Sequence, residues 1–189
     1  MKLIVTRHGE TEENKSGILQ GHLPGKLTDL GMDQARKLAL RFKNEKIDAI
    51  YSSDLARASD TAKEIAKYHP DIPLYFVEEL REKNQGSITG KLIKDVDWSK
   101  SRDTEKKEKM VERAKKILDE AYKKYKEKTV IFVSHGGLIT VLISLITNKS
   151  FDDVKKMGNP SNTSVSIFEI KENTNHEIII LNCDKHLHH

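Results

Sequence analysis

Four short runs constrain this chain most: Lys2–Thr6 (KLIVT), Ile47–Ser52 (IDAIYS), Leu74–Val77 (LYFV) and Thr129–Ser134 (TVIFVS). Each is rich in β-branched or aromatic residues and apolar at successive rather than alternate positions. A strand reads this way when helices cover both faces of its sheet. Helical periodicity fills the gaps between them. One helix is expected from Thr28, a side chain suited to the N-cap, through Leu30, Ala35, Leu38 and Phe42. A second should start at Ser53 or Asp54, either able to cap it, and run to about Tyr68. A third spans about Thr104 to Lys126, with Met110, Ala114, Ile117, Leu118, Ala121 and Tyr125 at helical spacing. A fourth, Leu138–Thr147, is apolar nearly all round and should be buried. Two further strand candidates, TSVSIFEI and HEIIILN, flank a turn-rich ENTNH stretch that reads as a hairpin. This order predicts an α/β fold, a three-layer α/β/α domain with a mostly parallel central sheet and an antiparallel edge strand. The length fits one such domain with a two-sided core over about residues 1–187. Residues 83–109 are polar and weakly patterned, and read as a short cap or lid.

Charge and composition exclude several function classes. The net charge of +4 arises from 33 Lys and Arg set against 29 Asp and Glu, with the two signs interleaved. That is a solvated surface rather than a nucleic-acid stripe. The one cysteine, Cys183, rules out an internal disulfide framework. The longest apolar segment, GLITVLISLIT, is too short to span a bilayer, and Leu3–Val5 is too short for a signal peptide. A cytoplasmic protein without membrane or nucleic-acid partners is expected. The terminal HLHH carries no argument, and residues 188–189 read as a tail compatible with a tag remnant.

The first run ends in Arg7, His8 and Gly9, and the fourth ends in His135, Gly136 and Gly137. Either histidine alone would be an ordinary polar residue at a strand end. Their repetition changes that reading, because parallel strands deliver their carboxyl ends to one edge, where α/β sheets bind ligands. The segment YSSDLARASDTA puts Arg57 in the first turn of a helix at the same edge. An arginine there opposes the helix dipole, so an anionic partner explains it better than propensity. Two guanidinium forks and two imidazoles at one crevice describe a dianion pocket suited to phosphate.

With these residues in view, the chain resembles the histidine phosphatase superfamily, the group that includes cofactor-dependent phosphoglycerate mutases. The resemblance rests on TRHGET, Asn14, Gln20–Gly21, LTDLGMDQA, SSDLARASDTA, LRE and VSHGG in that order, with NTSVSIFEI and LNCDKHL resembling the closing strands and tail. It implies a phosphoglycerate mutase-like fold and assigns roles. His8 is the implied nucleophile, forming a phosphohistidine. Arg7, Arg57 and His135 are the implied phosphoryl donors, and Glu82 of LRE the implied general acid. Asn14, Gln20, Gly21 and Gly136 are the implied phosphate or substrate contacts. Spacing alone does not separate Glu82 from Glu78 and Glu79. No compact metal-ligand set such as H-E-x-x-H occurs, so neither a metal nor another cofactor is expected.

The run LREKNQGSITGK departs from the family pattern: Ile88 and Thr89 stand where many of its phosphatases carry an aromatic residue and an acid. A shortened stretch before the third helix implies an open mouth that lets water reach a phosphoenzyme. A phosphomonoesterase acting on a small phosphorylated metabolite is therefore expected, with phosphoglycerate mutase as the alternative. A binding module with a vestigial pocket is the non-enzyme alternative. It is disfavoured, because Glu105, Glu108, Glu112, Asp119, Glu120 and Glu127 interleave with the lysines of 94–128.

Overall fold

A computed structural model describes residues 1–172 and 175–188. Six strands form one sheet: β1 (Lys2–Arg7), β2 (Ala49–Ser53), β3 (Leu74–Val77), β4 (Thr129–Ser134), β5 (Val165–Glu169) and β6 (Glu177–Cys183). Their order is β3-β2-β4-β1-β5-β6, and β1 to β4 pair in parallel. The pleat splits the core into two layers. Leu3, Val5 and Phe132 face α4 (Lys107–Lys124) and α5 (Gly136–Thr147). Ile4, Ile131 and Ile50 face α2 (Asp29–Phe42) and α3 (Ala56–Ala66). The expected α/β/α layering is present, and β1, β2 and β4 are buried on both sides; the fourth such run, β3, is instead an edge strand, only partly covered and with Phe76 exposed. Two short helices, α1 (Glu12–Ser16) and α6 (Phe151–Lys156), complete the helices. No helix among the described residues is long and apolar enough to cross a membrane.

Two antiparallel pairings occur, since β5 runs against β1 as well as against β6. The chain re-enters the sheet at its carboxyl edge, where Thr163 N donates to the Arg7 carbonyl (3.1 Å), and so must descend beside β1 in the opposite direction. The centre of the expected hairpin turn, Asn173 and Thr174, lies outside the described residues, as does His189 of the tail.

Helix starts differ from expectation in an informative way. Thr28 caps α2 by accepting from Gly31 N (2.9 Å), as its position suggests. Neither Ser53 nor Asp54 caps α3, whose N-cap is Leu55 with no side-chain bond. Asp54 is instead an ion-pair partner of Arg81, so its carboxylate serves the LRE segment rather than the helix. Helix α4 starts at Lys107, three residues later than expected, because Glu105 is bonded to Asn84 and Arg113. The region before it forms three single-turn 3-10 segments, beginning at Gly86, Ile93 and Trp98.

Candidate active site

The site is assembled from the carboxyl ends of the four parallel strands. Register pairs Arg7 of β1 with Ser134 of β4, and His8 N continues the ladder to the Ser134 carbonyl (3.0 Å). The next residues, His8 and His135, are thereby neighbours, with ring centroids 5.1 Å apart. Strand β2 leads into α3 and delivers Arg57, and β3 leads through one 3-10 turn to Glu82. Arg7, His8, Arg57 and Glu82, together with Asn14, Gln20, Gly21 and Gly136, line a single cleft of about 340 Å³. Eight of the nine residues singled out from the sequence line it, and the ninth, His135, is buried against His8 and Arg57.

Both histidines are almost wholly buried, 2% exposed for His8 and 0% for His135. Burial, then the positive charges of Arg7 and Arg57, hold His8 well below the ordinary histidine range, so it is neutral. Its Nδ1 lies 2.6 Å from the Gly9 carbonyl, which can only accept. Nδ1 therefore carries the proton, and Nε2 keeps its lone pair. His135 has the opposite tautomer. Arg57 Nε donates to its Nδ1 (3.1 Å), which leaves the proton on Nε2. His135 too is held low by burial and by Arg57.

Arg57 is 1% exposed and fixed by carbonyls at the cleft rim: Nη1 donates to Leu23 (2.5 Å) and Nη2 to Gly21 (2.9 Å). Gly21 has φ +49°, a left-handed conformation that lets its carbonyl reach the guanidinium. Burial lowers Arg57 to about 10, and it stays charged at neutral pH. Arg7 Nη1 donates to the Pro160 carbonyl (2.9 Å), while its Nε is buried and unpaired. The Nε2–H of His135 is likewise a buried donor without an acceptor. Two such donors beside a neutral imidazole suit an incoming group rich in acceptor oxygens.

LRE is decoded by three different contacts. Leu80 is fully buried, Arg81 pairs with Asp54, and Glu82 lines the cleft. Glu82 Oε2 accepts from Gly137 N (3.1 Å), and Oε1 accepts from Lys83 N (2.8 Å). Its rivals point elsewhere. Glu79 pairs with Lys116 (2.6 Å), which lowers its carboxyl below the usual range, and Glu78 pairs with Arg81 (3.1 Å). Gly137 was not singled out from the sequence, although HGG displays it. A Cβ there would collide with Glu82 Oε1. The 151–160 segment also supplies cleft walls, Phe151, Lys155, Asn159 and Pro160, that no periodic pattern announces. Asn162 is a further omission: its Nδ2 donates to the His8 carbonyl (2.9 Å).

The model of the histidine phosphatase superfamily (branch 1) matches residues 3–182. The chain belongs to that superfamily. Among its relatives, a metal-independent phosphoserine phosphatase of Arabidopsis thaliana is 32% identical, over 90% of this chain and 77% of the relative. Among solved structures, YhfR of Bacillus stearothermophilus superposes with a TM-score of 0.90 at 25% identity, covering 98% of both chains. A phosphoserine phosphatase of Entamoeba histolytica is known as a mutant with phosphoserine and also with 3-phosphoglyceric acid. It superposes with TM-scores of 0.86 and 0.82, at 27% and 29% identity over 98% of each chain. The fold is thus that of phosphoglycerate mutase-like phosphatases, and the cleft occupies the carboxyl edge of that fold's sheet.

Proposed function

We propose that this histidine phosphatase superfamily member is a phosphomonoesterase that works through a phosphohistidine on His8. The observation that carries the reading is the tautomer of His8, neutral with its proton fixed on Nδ1, facing a cluster of unsatisfied donors. The dianionic phosphoryl group is held by Arg7, Arg57 and the Nε2–H of His135. His8 Nε2 attacks phosphorus as the ester P–O bond breaks. Glu82, as general acid, gives a proton to the departing oxygen. Water then attacks the phosphohistidine, Glu82 takes a proton from it, and orthophosphate leaves. Positioned charge carries both steps, as phosphoryl transfer requires. Asn14, Gln20, Gly21 and Gly136 complete the phosphate end of the cleft.

The leaving group would lie against Ile18, Leu19, Ile93 and Phe151, with Lys155 at the rim. A lysine beside an apolar wall suits a small metabolite whose leaving group carries a carboxylate, as phosphoserine and 3-phosphoglycerate do. A direct test incubates the protein with 3-phosphoglycerate and phosphoserine in the presence of chelator. Free orthophosphate and an acid-labile phosphoenzyme are expected, with both abolished in His8→Ala. Conversion to 2-phosphoglycerate without phosphate release would make the protein a mutase. Turnover persisting in His8→Ala would remove the nucleophile.

A further inference from the structure

The backbone that carries Glu82 is held from behind by one side chain of another layer. Arg113 projects from the second turn of α4 toward the segment 78–82. Its Nη1 donates to the carbonyls of Glu79 (2.8 Å) and Arg81 (2.5 Å), and its Nη2 to the carbonyl of Glu82 (3.2 Å). The remaining donors take both oxygens of Glu105, Nε to Oε1 (2.8 Å) and Nη2 to Oε2 (3.0 Å). A guanidinium has five N–H groups, and here each has an acceptor. Three of the five hold backbone carbonyls between residues 79 and 82. The pair is poorly exposed, 17% for Arg113 and 12% for Glu105.

Glu105 extends the hold past the acid. Its Oε2 accepts from Asn84 N (3.0 Å), and its own N donates to the Asn84 carbonyl (2.8 Å). Residues on both sides of Glu82 are thereby tied to α4 and its approach, while His22 Nε2 makes a second bond to the Glu82 carbonyl (2.8 Å). Burial pushes the Glu105 carboxyl up, but the bonds from Arg113 and Asn84 outweigh it and hold the group below its usual range. Arg113, Glu105 and Asn84 do not line the cleft; Arg113 reaches it through the backbone of Glu82 and, through its charge, helps hold His135 low.

We propose that Arg113, with Glu105 as its counter-ion, is the positioning residue for the acid on Glu82, a proposal that rests on Glu82 being that acid. Proton transfer demands heavy atoms within about 2.6–3.2 Å, and the two bonds to the Glu82 carboxylate fix its head only if the backbone beneath it is fixed. Lysine keeps the charge but has three donors and no planar fork, so it cannot hold three carbonyls and a carboxylate together.

The test measures kcat/KM across monoesters of graded leaving-group pKa, from p-nitrophenyl phosphate through phenyl phosphate to an alkyl phosphate. Glu82→Gln is the reference. In Arg113→Lys, p-nitrophenyl phosphate should stay within about 3-fold of the parent, while the alkyl ester falls 10-fold or more. The Arg113→Lys, Glu82→Gln double variant should fall no further than Glu82→Gln alone. Equal losses on all esters, or additive losses in the double variant, would reduce Arg113 to a structural residue and overturn the proposal. If Arg113→Lys does not fold, Glu105→Gln is measured in the same way, with the same graded pattern expected and a flat one overturning. A flat profile in Glu82→Gln itself would instead remove the acid assignment, and the proposal with it.

Discussion

Two imidazoles 5.1 Å apart, equally buried, carry their protons on opposite nitrogens, and single neighbours decide which. The Gly9 carbonyl makes His8 a lone-pair donor at Nε2, and Arg57 makes His135 a proton donor there. Arg7, His8, Arg57 and His135 were legible because chemistry-bearing residues followed buried strands at matching positions. The tautomers were not, since they depend on contacts 78 residues apart as well as on adjacent ones. Gly137 makes the same point. HGG is plain in the sequence, but the group filling the space of its missing side chain arrives from 55 residues away. Gly137→Ala should therefore displace the Glu82 carboxylate while the helix gains propensity, up to about 1 kcal/mol. We expect thermal stability to hold or rise slightly and turnover of alkyl phosphates to fall about 10-fold or more. Unchanged alkyl phosphate turnover would separate Gly137 from the acid.

Elements with a long apolar period were readable, and those without one were not. The central strands and the α2, α4 and α5 stripes follow from pattern, whereas α1 buries no residue and α6 only Val154. Pattern also overreached. Leu30 and Leu38 share the expected stripe of α2, yet Leu30 is 53% exposed and Leu38 fully buried. The reason is that α2 begins at Asp29, and its first turn packs Gly31 inward against the Glu10 backbone. Leu38→Ala should cost about 2–5 kcal/mol in urea unfolding, and Leu30→Ala should stay within about 0.5 kcal/mol. Similar costs at both sites would contradict the packing of α2. The start of α3 departs from pattern for a different reason: Asp54 has the right chemistry for a cap, but Arg81 competes for it more strongly through a bidentate pair.

Among the described residues four histidines are held below the ordinary imidazole range, His176 by burial and by the charge of the N-terminal ammonium. His8 and His135 are held low by burial and the arginines, and His186 is lowered to about 4 by burial and Arg41. In the unfolded chain each titrates near ~6.5. Below that pH the unfolded state binds protons that the folded state refuses, so stability is fullest above about 6.5 and declines as pH falls toward 4. Asp54 and Glu105, both held below the carboxylate range, add to the decline only further down, as pH drops through their folded-state values. A urea midpoint lower at pH 5 than at pH 7.5 is expected, and equal midpoints would contradict it. The layering and the carboxyl-edge location of the cleft were legible at this scale from the order of runs alone. The second antiparallel pairing was not, because it follows from where residues 157–164 re-enter the sheet.

The base of the 83–106 segment is fastened twice, by Asn84 to Glu105 and by Ser87 N to Asp103 (2.7 Å). Along it Gln85 and Ile93 line the cleft, and bonds from Gly90 N to the Leu19 carbonyl (2.8 Å) and from Ile93 N to the Gly17 carbonyl (2.9 Å) tie its middle down. The wall proposed for the leaving group is therefore shared between this segment, Ile18 and Leu19, and the start of α6. A graft meant to change the ester preferred would have to carry residues 17–19 along with 88–102, because the two stretches share backbone bonds.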